Sequence, residues 1–390
     1  MSTIKVDGIR SNSASSDAIT LASDGTCTAN ITNKPNRNLI INGAMQVAQR
    51  GTSSTSSGIA TVDRFGLSVS GTDESPTQAQ VDVASGTSPY TSGFRKAYKI
   101  TNGNQTSGAG SSDRIIVFQN LEAQDIANSG WNYTSSSSFI TLSFWAKSSV
   151  AQTFYVALTT DDGTSQRYGA AMTFASTDTW TKFTYKIPGN SNLTFDNNTD
   201  RGLQVFWTLF RGTGTTDNSF VLNQWAAYNS SIRYPDITST WYTTNDATFE
   251  ITGVQLEVGS TATDFEHRSF AQELALCQRY CYVIKMNNAN YSGFVGQAKT
   301  TDEAIVIGNA PVPMRDEPTY TGNNIDCQFN GADSSPIIQF DALSIFRVPL
   351  QRPVSVLGLR DADVGSLTAG QCILLFAKAN GGRMTFDAEL

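Results

Sequence analysis

Charge is what this chain of 390 residues has least of: Asp, Glu, Lys and Arg make up 16%, against about 25% in average soluble proteins. Hydrophobic residues, at 39%, are also slightly scarce. A disordered chain would pair low hydrophobicity with high charge and few aromatics. This one carries a net charge of only -7 and holds 21 Phe, 13 Tyr and 6 Trp, so a folded core is expected. Histidine is reduced to His267 alone. Any Ser or Cys triad would have to use it, and no nucleophile elbow accompanies it. The cysteines, Cys27, Cys277, Cys281, Cys327 and Cys372, are odd in number and scattered. They supply neither a disulfide framework nor zinc spacing, and they suit synthesis in a reducing cytoplasm. No run reaches the roughly 18 apolar residues of a membrane span. The opening MSTIKVDGIRSNSASSD has no apolar signal core, which speaks against classical secretion. The acidic balance gives nucleic acid no basic field to bind, and no P-loop or dinucleotide fingerprint occurs. No cofactor, metal or catalytic residue is expected.

The missing charge is replaced by Ser, Thr, Asn, Gln and 31 Gly, a composition that suits strands and tight turns. In FITLSFWAKS, Ile140, Leu142, Phe144 and Ala146 alternate with Thr141, Ser143, Trp145 and Lys147. QTFYVALTT puts Phe154, Val156 and Leu158 on one face, and WTKFTYKI does the same with Phe183, Tyr185 and Ile187. LQVFWTLF is apolar on both faces and is expected to be a central strand. ATFEITGVQLEVG changes phase at Gly253, which predicts a β-bulge. NLIINGAMQVAQRG (38–51) reads as a β-type run. A two-sheet sandwich of the jelly-roll kind accounts for the series.

One helix interrupts it. Ser269 and Gln272 make a capping box, and Phe270, Leu274, Cys277, Cys281 and Ile284 follow at helical spacing. Helix geometry disfavours a Cys277–Cys281 disulfide, so packed thiols are expected. A second β region follows, with strands at IIQFDALSIFRV, CILLFAK and RMTFDAE and a proline-rich loop or edge at PVPMRDEP (311–318). The resulting divisions are an N-terminal segment 1–36, a sandwich 37–264, a connecting helix 265–286 and a C-terminal β domain 287–390. Residues 1–36 are too polar to bury a core alone.

Paired carboxylates leave one enzymatic route open, because glycosidases need two acids about 5–9 Å apart. Asp161 with Asp162 and Asp361 with Asp363 are candidates, and solvated turns explain them better. Asp196, Asn198 and Asp200 in DNNTDRG have the alternate spacing of calcium loops, but the glycine comes one position late and Trp207 stands where Glu belongs, so a polar turn is the better reading. His267 is read as a hydrogen-bonding residue at a domain junction. Trp145 and Trp207 are core or groove-lining. Trp225, Tyr228, Tyr234, Trp241 and Tyr242 crowd one loop-like stretch, either as a carbohydrate-binding platform or as a plug for the end of the sandwich.

Together, NLIINGAMQVAQRG with TVDRFG, ITGVQLEVGSTATDFEHRSFAQELALCQRYCY, VPMRDEPTY and the terminal FDAEL resemble the β-sandwich module of tailed-bacteriophage tail-fibre and other virion appendage proteins. The resemblance spans roughly 38–390. It departs at Ala48 and Phe65, where the family often has tryptophan. It implies a carbohydrate-binding-module-like jelly roll with no catalytic residues to transfer. It further implies a homotrimer, an N-terminal segment that intertwines or attaches to the particle, other tail or neck proteins as partners, and residence in the virion. Adhesion to a host surface glycan is the expected purpose. The alternatives are a purely structural head, neck or tail subunit, a tailspike-type polysaccharide-degrading glycosidase, and a secreted bacterial glycan-binding protein.

Overall fold

The computed structural model describes residues 6–13, 15, 17–21, 23, 27–29, 36–286, 291–323, 325–329, 338–339, 344–345, 354–361, 367–377 and 382–390. Strands β1 (Gly8–Ile9), β2 (Ile19–Leu21) and β3 (Cys27–Ala29) pair in that order as a small antiparallel sheet.

The alternating runs become the strands of a sandwich: β4 (Ser53–Ser54), β5 (Gly66–Ser70), β6 (Thr77–Asp82), β7 (Lys96–Thr101), β8 (Arg114–Glu122) and β9 (Phe139–Ser148). β10 (Thr153–Thr160), β11 (Gln166–Thr173), β12 (Thr181–Pro188), β13 (Arg201–Arg211), β14 (Trp225–Ala227) and β15 (Thr248–Val258) complete it. One sheet runs β14-β11-β10-β13-β8-β5 and the other β12-β9-β15-β7-β6-β4, with every pairing antiparallel. Neighbours distant in sequence, such as β13 beside β8 and β15 beside both β9 and β7, make it a jelly-roll-like β-sandwich.

The expected inward residues meet in its core: Ile140, Leu142, Phe144, Phe154, Trp207 and Phe249 are fully buried. Phe144 stands edge-on to Trp207 at 5.7 Å, within the range that favours aromatic pairs. Phe65 is fully buried and packs at 6.0 Å on the same indole. β13 is central, and its second apolar face is covered because the 212–237 segment lays Leu222, Tyr234 and Ile237 over Phe206 and Tyr155. The phase change in β15 is a bulge, with the register shifting between Thr252 and Gln255. Gly253 there has φ +64°, and a Cβ would lie 2.6 Å from the Phe94 ring.

Two expected elements differ. Residues 38–51 contain no strand. Asn42 and Met45 have φ of 60° and 58°, and the asparagine side chains replace a ladder. Asn38 Oδ1 accepts from Ile40 N and Leu256 N at 3.0 Å, while Asn42 Nδ2 donates to the Val47 and Asp63 carbonyls at 2.9 Å. The helix carries its capping box but spans only Phe270–Gln278, short of 265–286. Cys281 and Ile284 instead lie on strand β16 (Cys281–Met286), because the β-favouring CYVIKM finds a full ladder partner in β25 (Gly382–Asp387). Cys277 and Cys281 are free, buried thiols, and burial pushes both well above their ordinary pKa.

The smaller C-terminal β portion adds β17 (Tyr291–Ala298), β18 (Ala304–Met314), β19 (Thr319–Asn323), β20 (Ile325–Phe329), β21 (Ile338–Gln339), β22 (Ser344–Ile345), β23 (Val354–Asp361) and β24 (Cys372–Ala377). They form the sheets β16-β25-β19 and β21-β20-β24-β17-β18-β23-β22. Pro311 and Pro313 fall inside β18 rather than in a loop, at a point where its register with β23 breaks between Asn309 and Met314. Of IIQFDALSIFRV, only residues 338–339 and 344–345 lie among the described residues.

A buried polar seam joins the two β regions. Glu122 accepts from Arg279 Nε and Nη2 at 2.7 and 2.8 Å and from the Tyr280 hydroxyl at 2.6 Å. The Arg64 guanidinium lies 3.4 Å over the Tyr280 ring and pairs with Glu389. Arg50 pairs with Asp387 at 2.8 Å and Glu389 at 3.3 Å. Burial acts to raise the Glu122 pKa, yet the bonds from Arg279 and Tyr280 hold it below the ordinary value. A depressed carboxylate stabilises the fold above its unfolded pKa, and that stability disappears as pH falls through the folded value. Glu122→Gln is therefore expected to cost about 3–5 kcal/mol at neutral pH and to flatten the acid limb of stability below the usual glutamate value of 4.5, read by denaturant titration at several pH values. Gly253→Ala, strained at positive φ and against Phe94, should lose about 1–3 kcal/mol in the same assay.

Candidate functional site

The outer face of the second sheet carries the residues of the core strands that point away from the core. Trp145 on β9 stands opposite Lys182 of β12 on one side and Thr252 of β15 on the other. One step along, Lys147 faces Glu250, and Glu250 faces Lys99 of β7, giving a row of alternating sign across three strands. The Lys147–Glu250 pair is 3.1 Å long. Trp180 precedes β12 and holds its indole 5.3 Å from Lys147 Nζ. Trp145 and Trp180 are both half-buried, their inner edges packed on the Ala44, Val83, Phe94 and Ala97 cluster.

Two hollows lie beside these indoles. One, of about 420 Å³, is bounded by Ser143, Trp145, Lys182, Phe265 and His267. The other, of about 270 Å³, is bounded by Lys99, Lys147, Asp178, Trp180 and Glu250. His267 Nε2 lies 3.1 Å from the Ser92 carbonyl and its ring packs 5.3 Å from Phe94, so it ties the 260–268 strap to the 87–95 loop. Partly exposed indoles between fixed hydrogen-bonding side chains can pack on the apolar face of a sugar ring while its hydroxyls are met at the edges.

A larger hollow of about 900 Å³ lies between the helix, Arg37 and Pro313. Two of its arginines are engaged internally: Arg268 Nη2 donates to the Asn38 carbonyl at 2.5 Å, and Arg279 is bound to Glu122.

Of the two readings of the aromatic-rich stretch, platform and plug, the burial of its rings fits the plug. Trp225, Tyr234, Trp241 and Tyr242 are buried, with Tyr234 and Trp241 at 0% exposure, and only Tyr228 is half-buried. Trp225 Nε1 donates to the Pro188 carbonyl at 2.7 Å, and Trp241 Nε1 to the Thr248 carbonyl at 3.1 Å. Tyr242 donates to Asp113 at 2.8 Å and stacks 4.2 Å from Phe210. With their polar atoms bonded inside the protein, Trp225, Trp241 and Tyr242 serve the sandwich itself. Trp207 is core and Trp145 lines one of the two hollows; Trp180 was missed because it opens WTKFTYKI in phase with Lys182, Thr184 and Lys186, the polar face of that run.

Of the remaining candidates, Asp361 ends strand β23 opposite Ala304, and those at 161–200 sit between strands. Asp161 pairs with Arg201, Asp162 accepts from Asp196 N at 3.0 Å, and Asn198 accepts from Asp200 N at 3.0 Å. Asp363 lies outside the described residues. Among the described residues no group of three or more His, Cys, Asp or Glu side chains could hold a metal ion, and no helix is long and apolar enough to cross a membrane.

No family model and no curated protein matches the chain. Similar solved structures include the enzymatically active domain of tailspike protein 4 from bacteriophage CBA120, at 10% identity, 59% of this chain, 24% of that one and a TM-score of 0.31. The chain thus spans about a quarter of that tailspike domain's length. A putative sugar binding protein from Bacteroides thetaiotaomicron is similar at 12% identity, with 57% and 100% covered and a TM-score of 0.30. A family 11 carbohydrate-binding module from Clostridium thermocellum, in complex with a mixed-linked tetrasaccharide, is similar at 10% identity, with 55% and 98% covered and a TM-score of 0.23.

Trp241→Ala should empty a fully enclosed site and cost about 3–5 kcal/mol. Trp145→Ala or Trp180→Ala, each half-buried, should cost about 1–2 kcal/mol. Thermal unfolding of the three variants measures the contrast.

Proposed function

We propose that this chain is a non-catalytic subunit of a tailed-phage appendage, a tail fibre or related virion fibre, that holds host surface glycans in the Trp145–Trp180 groove. The observation that carries this reading is the pair of half-buried indoles flanking a Lys147–Glu250–Lys99 row on the outer face of a rigid sheet. The ligand is a neutral or weakly charged oligosaccharide, because the charges lining the groove alternate in sign. The family resemblance supports the virion setting and a homotrimeric assembly, in which weak grooves on three chains act together through effective concentration.

Binding of labelled protein to an array of bacterial surface glycans tests the groove. Trp145→Ala and Trp180→Ala should each abolish detectable binding while the protein stays folded, and unchanged binding in both would sink the assignment. Light scattering tests the assembly: a trimer reads about three times the 42.1 kDa monomer, and a monomer at micromolar concentration contradicts it.

A further inference from the structure

The opposite face of the sandwich has different chemistry. Arg211 on β13 lies directly across from Arg114 on β8, a like-charged cross-strand pair of a kind that ordinarily destabilises a sheet. Arg167 on β11 and Arg233 on the covering 212–237 segment complete the group. Tyr234 lies among them: Arg167 Nη2 donates to its hydroxyl, and the Arg167 guanidinium sits 4.4 Å from its ring. Arg167 and Arg211 are 5% and 8% exposed, while Arg114 and Arg233 are half-exposed and form the rim with Tyr228.

Among the described residues none of the four arginines is in an ion pair. The two acids of the covering segment are engaged elsewhere, Asp217 by Ser219 and Asp236 by Thr216 and Asn218. Among the described residues, four buried polar atoms on this face also have no hydrogen-bond partner: Arg167 Nε, Arg211 Nε, Thr159 Oγ1 and Thr208 Oγ1. Thr159 stands directly opposite Arg167 in the ladder. Buried guanidinium groups without counter-charge are costly, and orphaned donors add to that cost. Burial, followed by the field of Arg233, pushes the Arg211 pKa down to about 10. Water would satisfy the hydroxyls and leave the positive charge uncompensated, whereas an oxyanion answers both.

We propose that Arg114, Arg167, Arg211 and Arg233 form a binding site for an oxyanion, a sulfate, phosphate or carboxylate group, beneath the 212–237 segment. Guanidinium groups are suited to this because their N–H forks match oxyanion geometry. The site is independent of the indole groove, so either can fail without the other.

Calorimetric titration of the whole chain with inorganic sulfate, inorganic phosphate and glucuronate is the test. Saturable binding of sulfate or phosphate points to an ester-bearing ligand, and binding of glucuronate alone points to an acidic sugar. Arg114→Gln with Arg233→Gln, both at the rim, should weaken binding by roughly tenfold or more. The single Arg233→Gln, on the covering segment alone, should weaken it less and serves if the double variant fails to fold. Bound anion should also raise Tm beyond the general salt effect shared by the wild type and the variants. The proposal is overturned if none of the three anions binds saturably, or if binding is unchanged in a folded rim variant.

Discussion

Three parts of the chain meet on the buried carboxylate of Glu122. It closes strand β8 of the sandwich, yet its partners Arg279 and Tyr280 belong to the exit of the helix. Tyr280 in turn carries the Arg64 guanidinium, whose acid is Glu389 beyond the last strand. A carboxylate at 0% exposure is tolerable only when its lone pairs are filled by charged and hydroxyl donors in good geometry. The two-nitrogen contact from Arg279 supplies that geometry and fixes where the helix must end. With Arg279 and Tyr280 held there, Cys281 enters β16 directly, and its register with β25 places Asp387 and Glu389 within reach of Arg50 and Arg64.

The alternation that foretold the sandwich was legible because a half-buried strand repeats every two residues and needs no knowledge of its partner. The bulge at Gly253 was legible as a change of that phase, and the central position of LQVFWTLF because both of its faces are apolar. Residues 38–51 were not. Their apolar residues look like a strand, but Asn38 and Asn42 bind the backbone of segments more than 200 and about 20 residues away. The helix length was misread through Cys281 and Ile284, whose spacing continues the helical pattern while their ladder partner lies a hundred residues later.

The sequence offered the aromatic-rich stretch as platform or plug, and the burial of four of its five rings fits the plug. Aromatic density in the 225–242 stretch marked a segment that covers a sheet, and covering is what buries its rings. The groove is assembled from Trp145, Lys147, Trp180 and Glu250, scattered over a hundred residues and joined only by register. The four arginines are equally dispersed at 114, 167, 211 and 233, and no local window shows them as a group. In both cases the chemistry belongs to a sheet face, which exists only once pairing is known.

The two faces also set the strength of binding each can give. Under the proposed reading, two indole contacts and a partly self-neutralised Lys–Glu row would leave a small surplus after a flexible sugar is ordered, on the order of millimolar affinity, about -4 kcal/mol. A single groove of that strength releases its ligand quickly and cannot hold a particle against diffusion. Several copies on one support can, because each further contact is made at the effective concentration set by the others. A weak groove would also suit the proposed adhesive role, since single contacts break and re-form while the ensemble stays attached. Low charge would serve the same end, because with 16% charged residues little of the surface responds to ionic strength.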